Sequence, residues 1–160
     1  MQFSVRDQYL APLVFSLRQR GADVELIEND LRHFRVNQEG RVNQESYVLA
    51  KYSATEGERW PFTFRARDMT LLAEDRTRVG FFGGRYLALR CGFDGVCLLH
   101  ADEWESLLQT DRPETPQTIR VRRPEECQMT VRGPGGTSLS RKIPRNRFPA
   151  MLTNPSHATS

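Results

Sequence analysis

The chain has 160 residues, 38% of them hydrophobic and 27% charged, which suits a folded domain with a real core and excludes a disordered one. No apolar run approaches the roughly 20 residues that cross a bilayer, so no membrane partner is expected. The net charge of +3 hides an asymmetry: residues 117–160 carry eight basic side chains against two acidic, and residues 1–116 carry 15 against 18.

A basic C-terminal third on a mildly acidic body points to an anionic partner, nucleic acid being the commonest, or else to a solvated arginine-rich face. The opening MQFSVRDQYLAPLVF has no basic n-region and is interrupted by Pro12, which argues against a signal peptide and for a cytoplasmic protein. Three cysteines, a small odd number, fit reduced thiols better than a disulfide framework.

Ser4 and Asp7 have the spacing of a capping box, and Leu10, Leu13, Val14 and Leu17 recur at helical intervals. A helix is therefore expected from there to a stop at Gly21, with a kink or a delayed start at Pro12. Val24 between Asp23 and Glu25 predicts a strand over Ala22–Ile27. Glu28-Asn29-Asp30 is a polar turn, and Leu31, Phe34 and Val36 predict the next strand. A polar hairpin loop over 37–44 leads to a third strand, SYVLAKYS, which carries Lys51. After a loop over 54–59, a strand over 60–64 contains Pro61, which confines it to an edge or a strand entry. Residues 66–77 are helical, with Met69, Leu71, Leu72 and Ala73 as the apolar side. Asp68 falls in the first turn, where the helix dipole favours a carboxylate.

Gly80, Gly83 and Gly84 mark a flexible connection without the lysine and following helix of a phosphate-binding loop. Residues 85–91 alternate as a strand, Asp94-Gly95 are expected to supply the positive-φ positions of a tight hairpin, and 96–99 return as its partner. Asp102 is expected to cap a short helix holding Trp104, Leu107 and Leu108. Pro113 and Pro116 make 111–117 a linker between a core domain over 1–110 and a basic β-hairpin appendage over 118–150. A disordered tail is expected over 151–160. The fold class is α+β: a mixed β-sheet flanked by two main helices, with a smaller β-rich basic C-terminal portion. Leu10, Leu13, Leu17, Val48, Ala50, Leu72, Leu87 and Leu89 are expected to share one core.

Of 23 basic residues only Lys51 and Lys142 are lysine, and Lys51 stands in an apolar strand on the same face as Leu49. The order helix, strand, strand, strand, helix, strand over residues 5–91, with Asp30 and Lys51, resembles the core of the restriction-endonuclease-like superfamily. Its restriction enzymes and Holliday-junction resolvases share a PD…(D/E)xK motif. The resemblance implies an Asp near the second strand and an acidic-x-Lys on the third, which hold Mg²⁺ and activate water. Asp30 takes the first position and Lys51 the last. The second carboxylate would fall at Leu49, so the implied metal site is degenerate or incomplete unless Glu25, Glu28 or Glu45 supplies the missing oxygen. The bland alternative makes Lys51 a strand-edge guard and Asp30 a turn residue capping its own backbone.

Cys91, Cys97 and His100, with Cys127, do not have the spacing of a usual zinc site, and Cys91 and Cys97 are expected to face one another across a hairpin as core thiols. No metal ligand and no small-molecule cofactor is assigned, Mg²⁺ entering only with a nuclease. His33 is a surface or satisfied strand residue, His157 is inert, and no acyl-transfer arrangement stands out. Trp60, Phe62 and Phe64, beside Arg59, Arg65 and Arg67, either stack bases or form a core face. The candidate nucleic-acid surface is Arg120, Arg122, Arg141, Lys142, Arg145 and Arg147. An acidic protein partner would need apolar anchors such as Met129 or Phe148. The leading expectation is a nucleic-acid-associated protein on an endonuclease-like core, with the missing carboxylate speaking against an enzyme. A non-enzymatic protein-interaction subunit is the alternative, and a Mg-dependent nuclease using Asp30 and Lys51 is the third.

Overall fold

The computed structural model describes residues 4–38, 44–55, 57–80, 83–123 and 128–153. The loop at 39–43, Glu125, Glu126, Cys127 and His157 lie outside the described residues. Helix α1 (Val5–Gln19) begins where Ser4 Oγ accepts from the Asp7 amide, and its buried stripe is Leu10, Leu13, Val14 and Leu17. It runs on through Pro12. Strands β1 (Ala22–Ile27) and β2 (Asp30–Gln38) follow as a hairpin whose two central residues, Glu28 and Asn29, have φ of 55° and 57°. Positive φ at both centres matches the twist of the flanking strands, so Asp30 opens β2 instead of closing the turn. A register shift after Leu26 displaces the start of β2 from the regular ladder.

Next in order come β3 (Ser46–Ser53), β4 (Arg59–Phe64), α2 (Ala66–Arg78), β5 (Gly84–Cys91), β6 (Gly95–His100) and α3 (Ala101–Glu105). Then follow β7 (Gln117–Arg122), β8 (Thr130–Arg132) and α4 (Arg147–Thr153). The strand order β1-β2-β3-β5-β6 makes a mixed sheet, β3 and β5 being parallel and the other neighbours antiparallel. A second, antiparallel sheet has the order β4-β7-β8. The architecture is α+β, and β4 with its Pro61 is an edge strand, the position a missing amide dictates.

Because β3 and β5 are covered on both faces, their residues divide between two cores. Val48 and Ala50 pack with Leu10, Leu13 and Leu17 of α1 and Leu152 of α4. Leu49, Leu87 and Leu89 pack on the opposite face with Leu72 of α2, Trp60, Phe62 and Phe64 of β4, and Ile119, Val121, Met129 and Val131. The single core expected from periodicity is thus two, separated by the sheet. The aromatic face of β4 is interior, with Phe64 fully buried.

Several local expectations need correction. Positive φ in the β5–β6 turn falls on Gly92 (53°), not on Asp94-Gly95. Helix α3 is capped by His100, whose Nδ1 accepts from the Asp102 amide at 3.3 Å. Cys91 pairs with Gly95 and Cys97 with Leu89, so the two thiols are not directly opposed. Helix α4 takes in Met151 to Thr153, with Leu152 buried, and the rest of the expected tail, 154–160, lies outside the described residues.

Burial pushes the Cys91 thiol up to about 12, and Cys97, wholly buried, is also raised well above its ordinary value. A thiol in that condition is neither ionised nor accessible near neutrality. In native protein at pH 8, a thiol-specific reagent should therefore modify at most one of the three cysteines, and all three only after unfolding. Rapid reaction of two or more in the folded protein would contradict this packing.

Candidate functional site

Lys51 lies in β3, which has β2 on one side and β5 on the other, so it does not guard a sheet edge. Its stem follows the ring of Phe64, with the ammonium 5.1 Å from the centroid. The ammonium donates to Asp68 Oδ2 at 2.9 Å, and the same oxygen accepts from the Arg65 amide at 3.0 Å. Asp68 thus caps α2 and fastens that helix terminus to the middle of the sheet. The lysine side chain is 19% exposed and the carboxylate 9%.

Asp30 has a different partner. The Arg32 guanidinium grips its carboxylate, the shortest contact being 2.8 Å, and the Arg32 amide donates at 2.9 Å. Burial works to raise the Asp30 carboxyl, but the Arg32 hydrogen bonds outweigh it and hold the group below its ordinary value. Its contribution to stability is in place above the unfolded value near 4 and is lost as pH falls through the depressed one. The field of Asp68 reaches Arg32, and Arg67 bridges to Glu28 at 3.5 Å. The two pairs are therefore neighbours at the end of the sheet where α2 begins. No hydrogen bond or ion pair joins Asp30 to Lys51 among the described residues.

Deeper along α2, the Asp75 carboxylate accepts from His33 Nε2, with both oxygens at 2.8 Å. Both side chains are 2% exposed, which makes His33 a satisfied interior residue instead of a surface one. Asp68 and Asp75 are two helical turns apart, so both point from α2 to the sheet and each meets a basic side chain there. Local pattern assigns Asp68 only a dipole role and Asp75 none. The signal that could have found them is two carboxylates at seven-residue spacing on the face that also carries Leu71 and Leu72.

A divalent cation of the kind the endonuclease resemblance implies needs several free oxygens. Leu49, at the missing-carboxylate position, is 1% exposed in the core. Glu25 pairs with Arg35, and Glu28 with Arg67. Glu45 precedes β3, six residues from Lys51 and so roughly 20 Å along the strand. Asp30 and Asp68 are both engaged by cationic side chains, and no group of three or more His, Cys, Asp or Glu side chains gathers for a metal among the described residues.

Basic side chains cluster elsewhere. Alternation along β7 turns Ile119 and Val121 into the core and leaves Arg120 and Arg122 exposed. The register places Arg59 of β4 opposite Arg122, and Arg132 of β8 opposite Arg120. Four exposed arginines thus share the outward face of the second sheet, and none forms an ion pair among the described residues. Like charges directly opposed across strands are destabilising, so this face is costly unless an anion lies on it. Arg59 and Arg132 are new members of the surface; only strand pairing, invisible in local pattern, brings them to Arg120 and Arg122. Arg141 and Lys142 are exposed as well. Arg145 reaches the Asp94 carbonyl, whereas Arg147 is half-buried in an ion pair with Glu103 at 2.6 Å. Met129 is fully buried and offers no protein anchor; Phe148 is partly buried against the α1 core.

Among solved structures the chain is similar to Hjc, a Holliday junction resolvase from the archaeal hyperthermophile Archaeoglobus fulgidus. The TM-score is 0.50 at 13% identity, over 72% of this chain and 83% of that one. Likeness at this level concerns the fold alone. No protein-family model and no curated protein matches the chain. No helix among the described residues is long and apolar enough to cross a membrane.

Proposed function

We propose that this chain is a nucleic-acid-binding protein built on an endonuclease-like core whose metal site is degenerate. The observation that carries the reading is the arginine face of the second sheet: Arg59, Arg120, Arg122 and Arg132, opposed in pairs across strands. Guanidinium groups spaced along a pleated surface neutralise successive phosphates without reading base edges. Arg141, Lys142 and Arg145 extend the basic surface; Arg147, held by Glu103, positions α4 instead. The fold neighbour's name makes branched DNA the first ligand to test. Cleavage is not part of the reading, because Lys51 and Asp30 are each occupied by a partner of opposite charge. A cytoplasmic setting accords with the two free buried thiols.

The test is the dependence of affinity on salt. Arg120→Ala with Arg122→Ala is expected to weaken binding to duplex or branched DNA irrespective of sequence. It should also flatten the slope of log affinity against log salt by about 0.9 for each phosphate that is no longer neutralised, hence by about two units. Binding that keeps its slope in the double variant would remove this face from the account.

A further inference from the structure

A column of aromatic rings stands at the end of the mixed sheet, on the side of α1. Tyr52, the last but one residue of β3, stacks on Tyr9 of α1 with centroids 4.8 Å apart and planes within 8°. Tyr9 in turn stacks on Phe93 of the β5–β6 turn at 5.1 Å and 24°. Phe93 is 82% exposed, so the column ends in a ring that remains largely in water. Arg90 lies against the last two rings, 5.6 Å from the Tyr9 centroid and 5.5 Å from that of Phe93. Its guanidinium is held there by the carbonyls of Gly92 and Tyr9. Beside the column is a cavity of about 330 Å³ lined by Leu13, Arg90, Val96, Arg145 and Phe148 among others, within the size range of small-ligand sites.

The turn that presents Phe93 is tied to one end of the second sheet. Asp94 is gripped through two bonds by Arg123, which directly follows Arg122 of β7, and its carbonyl accepts from Arg145. The Cα of Gly92 lies so near β4 that an added Cβ would be 3.5 Å from the Trp60 indole nitrogen. Trp60 alternates with the exposed Arg59 along β4, so the turn meets that end of the second sheet on its inward side, and the arginine face is turned away from it. An isolated exposed phenylalanine needs no ligand to explain it. One that terminates a three-ring stack and is flanked by the guanidinium groups of Arg90 and Arg145 has the composition of a platform for unpaired bases.

We propose that the Tyr52–Tyr9–Phe93 column, with Arg90 positioning it and Arg145 at its rim, stacks an unpaired base of single-stranded DNA. This rests on the nucleic-acid reading above and names the form of ligand that reading leaves open. Rings and guanidinium groups take any base by its face, so little sequence preference follows. The assignment to DNA follows the reading above, and the ribose 2′-hydroxyl, which both donates and accepts, is what the oligo(U) strand tests.

The experiment uses the full chain and a fluorescent oligo(dT), the same strand made abasic, a blunt duplex, and oligo(U). Phe93→Ala is expected to weaken oligo(dT) binding roughly 5- to 100-fold, the range for removing one base–aromatic stack, and to leave the abasic strand unaffected. Phe93→Trp should retain affinity, with its indole fluorescence quenched by oligo(dT) and not by the duplex. Unchanged oligo(dT) affinity in Phe93→Ala, while the salt slope still responds to removal of Arg120 and Arg122, would overturn the stacking site and leave the nucleic-acid reading intact. Failure of the wild type to bind any of these strands overturns both. Oligo(U) held more than about tenfold tighter than oligo(dT) overturns the assignment to DNA. A Phe93→Ala variant that dissociates a dimer with unaltered DNA binding shows a self-association face and overturns the site as well.

Discussion

Replacing Asp75 by alanine is expected to destabilise the protein by about 3–5 kcal/mol, the range for breaking a buried ion-paired or charge-assisted interaction from one side. Both Asp75 oxygens lie 2.8 Å from His33 Nε2, and the pair is enclosed between β2 and α2. Removing the carboxylate leaves the imidazole interior and unpartnered, with the cost of its lost solvation unrecovered. It also opens a void where packing is close. Since domains are stable by about 5–15 kcal/mol in all, the variant should be close to unfolding at ambient temperature. Urea denaturation reads the effect as a lowered midpoint with the slope unchanged. Asp75→Asn, which keeps the shape and one acceptor, should cost less than Asp75→Ala. A shift below about 1 kcal/mol for the alanine variant would mean that water reaches the pair.

The second large effect is expected at Asp68. This carboxylate serves as both the cap of α2 and the counter-ion of Lys51, so Asp68→Ala removes two interactions at once. Loss of an N-terminal cap costs about 0.5–2 kcal/mol, and leaving a largely buried ammonium without its partner adds about 1–3 kcal/mol. A total of about 1.5–5 kcal/mol follows if the two losses add, which neighbouring groups do imperfectly. Lys51→Met tests the other half. It preserves the stem against Phe64 and removes the charge, leaving Asp68 bonded to the Arg65 amide, so it should cost less, about 1–2 kcal/mol. An edge lysine would tolerate replacement within about 0.5 kcal/mol. If Asp68→Ala and Lys51→Met prove equally mild, the pair does not anchor α2.

Much of the framework is legible in the sequence because local periodicity reports burial directly. Leu10, Leu13, Val14 and Leu17 announce α1, and alternation through 85–91 announces β5. What local pattern lacks is the identity of the partner. Nothing in Arg59 or Arg132 indicates that strands from distant parts of the chain will set them opposite Arg122 and Arg120. Similarly, Lys51 is conspicuous as one of two lysines, but its counter-ion is a helix residue 17 positions away. Asp68 has a sufficient role at its own helix terminus, which hides its second one. The two-core arrangement is hidden for the same reason: alternation assigns Val48 and Leu49 to opposite faces without saying that both faces are covered. Asp94-Gly95 misleads because turn propensity names residue types suited to positive φ, whereas Gly92 has the conformation here.

The central claim, an endonuclease-like core that holds nucleic acid without a working metal site, is tested most directly by one titration. Labelled four-way, duplex and single-stranded DNA are incubated with the wild-type chain in Mg²⁺, in Mn²⁺ and in EDTA, and both the bound fraction and strand integrity are measured. The account predicts salt-sensitive binding that does not require divalent metal, with every strand intact. Metal-dependent cleavage that disappears in Lys51→Ala would contradict it, and would mean that Lys51 leaves Asp68 to join Asp30 around a metal.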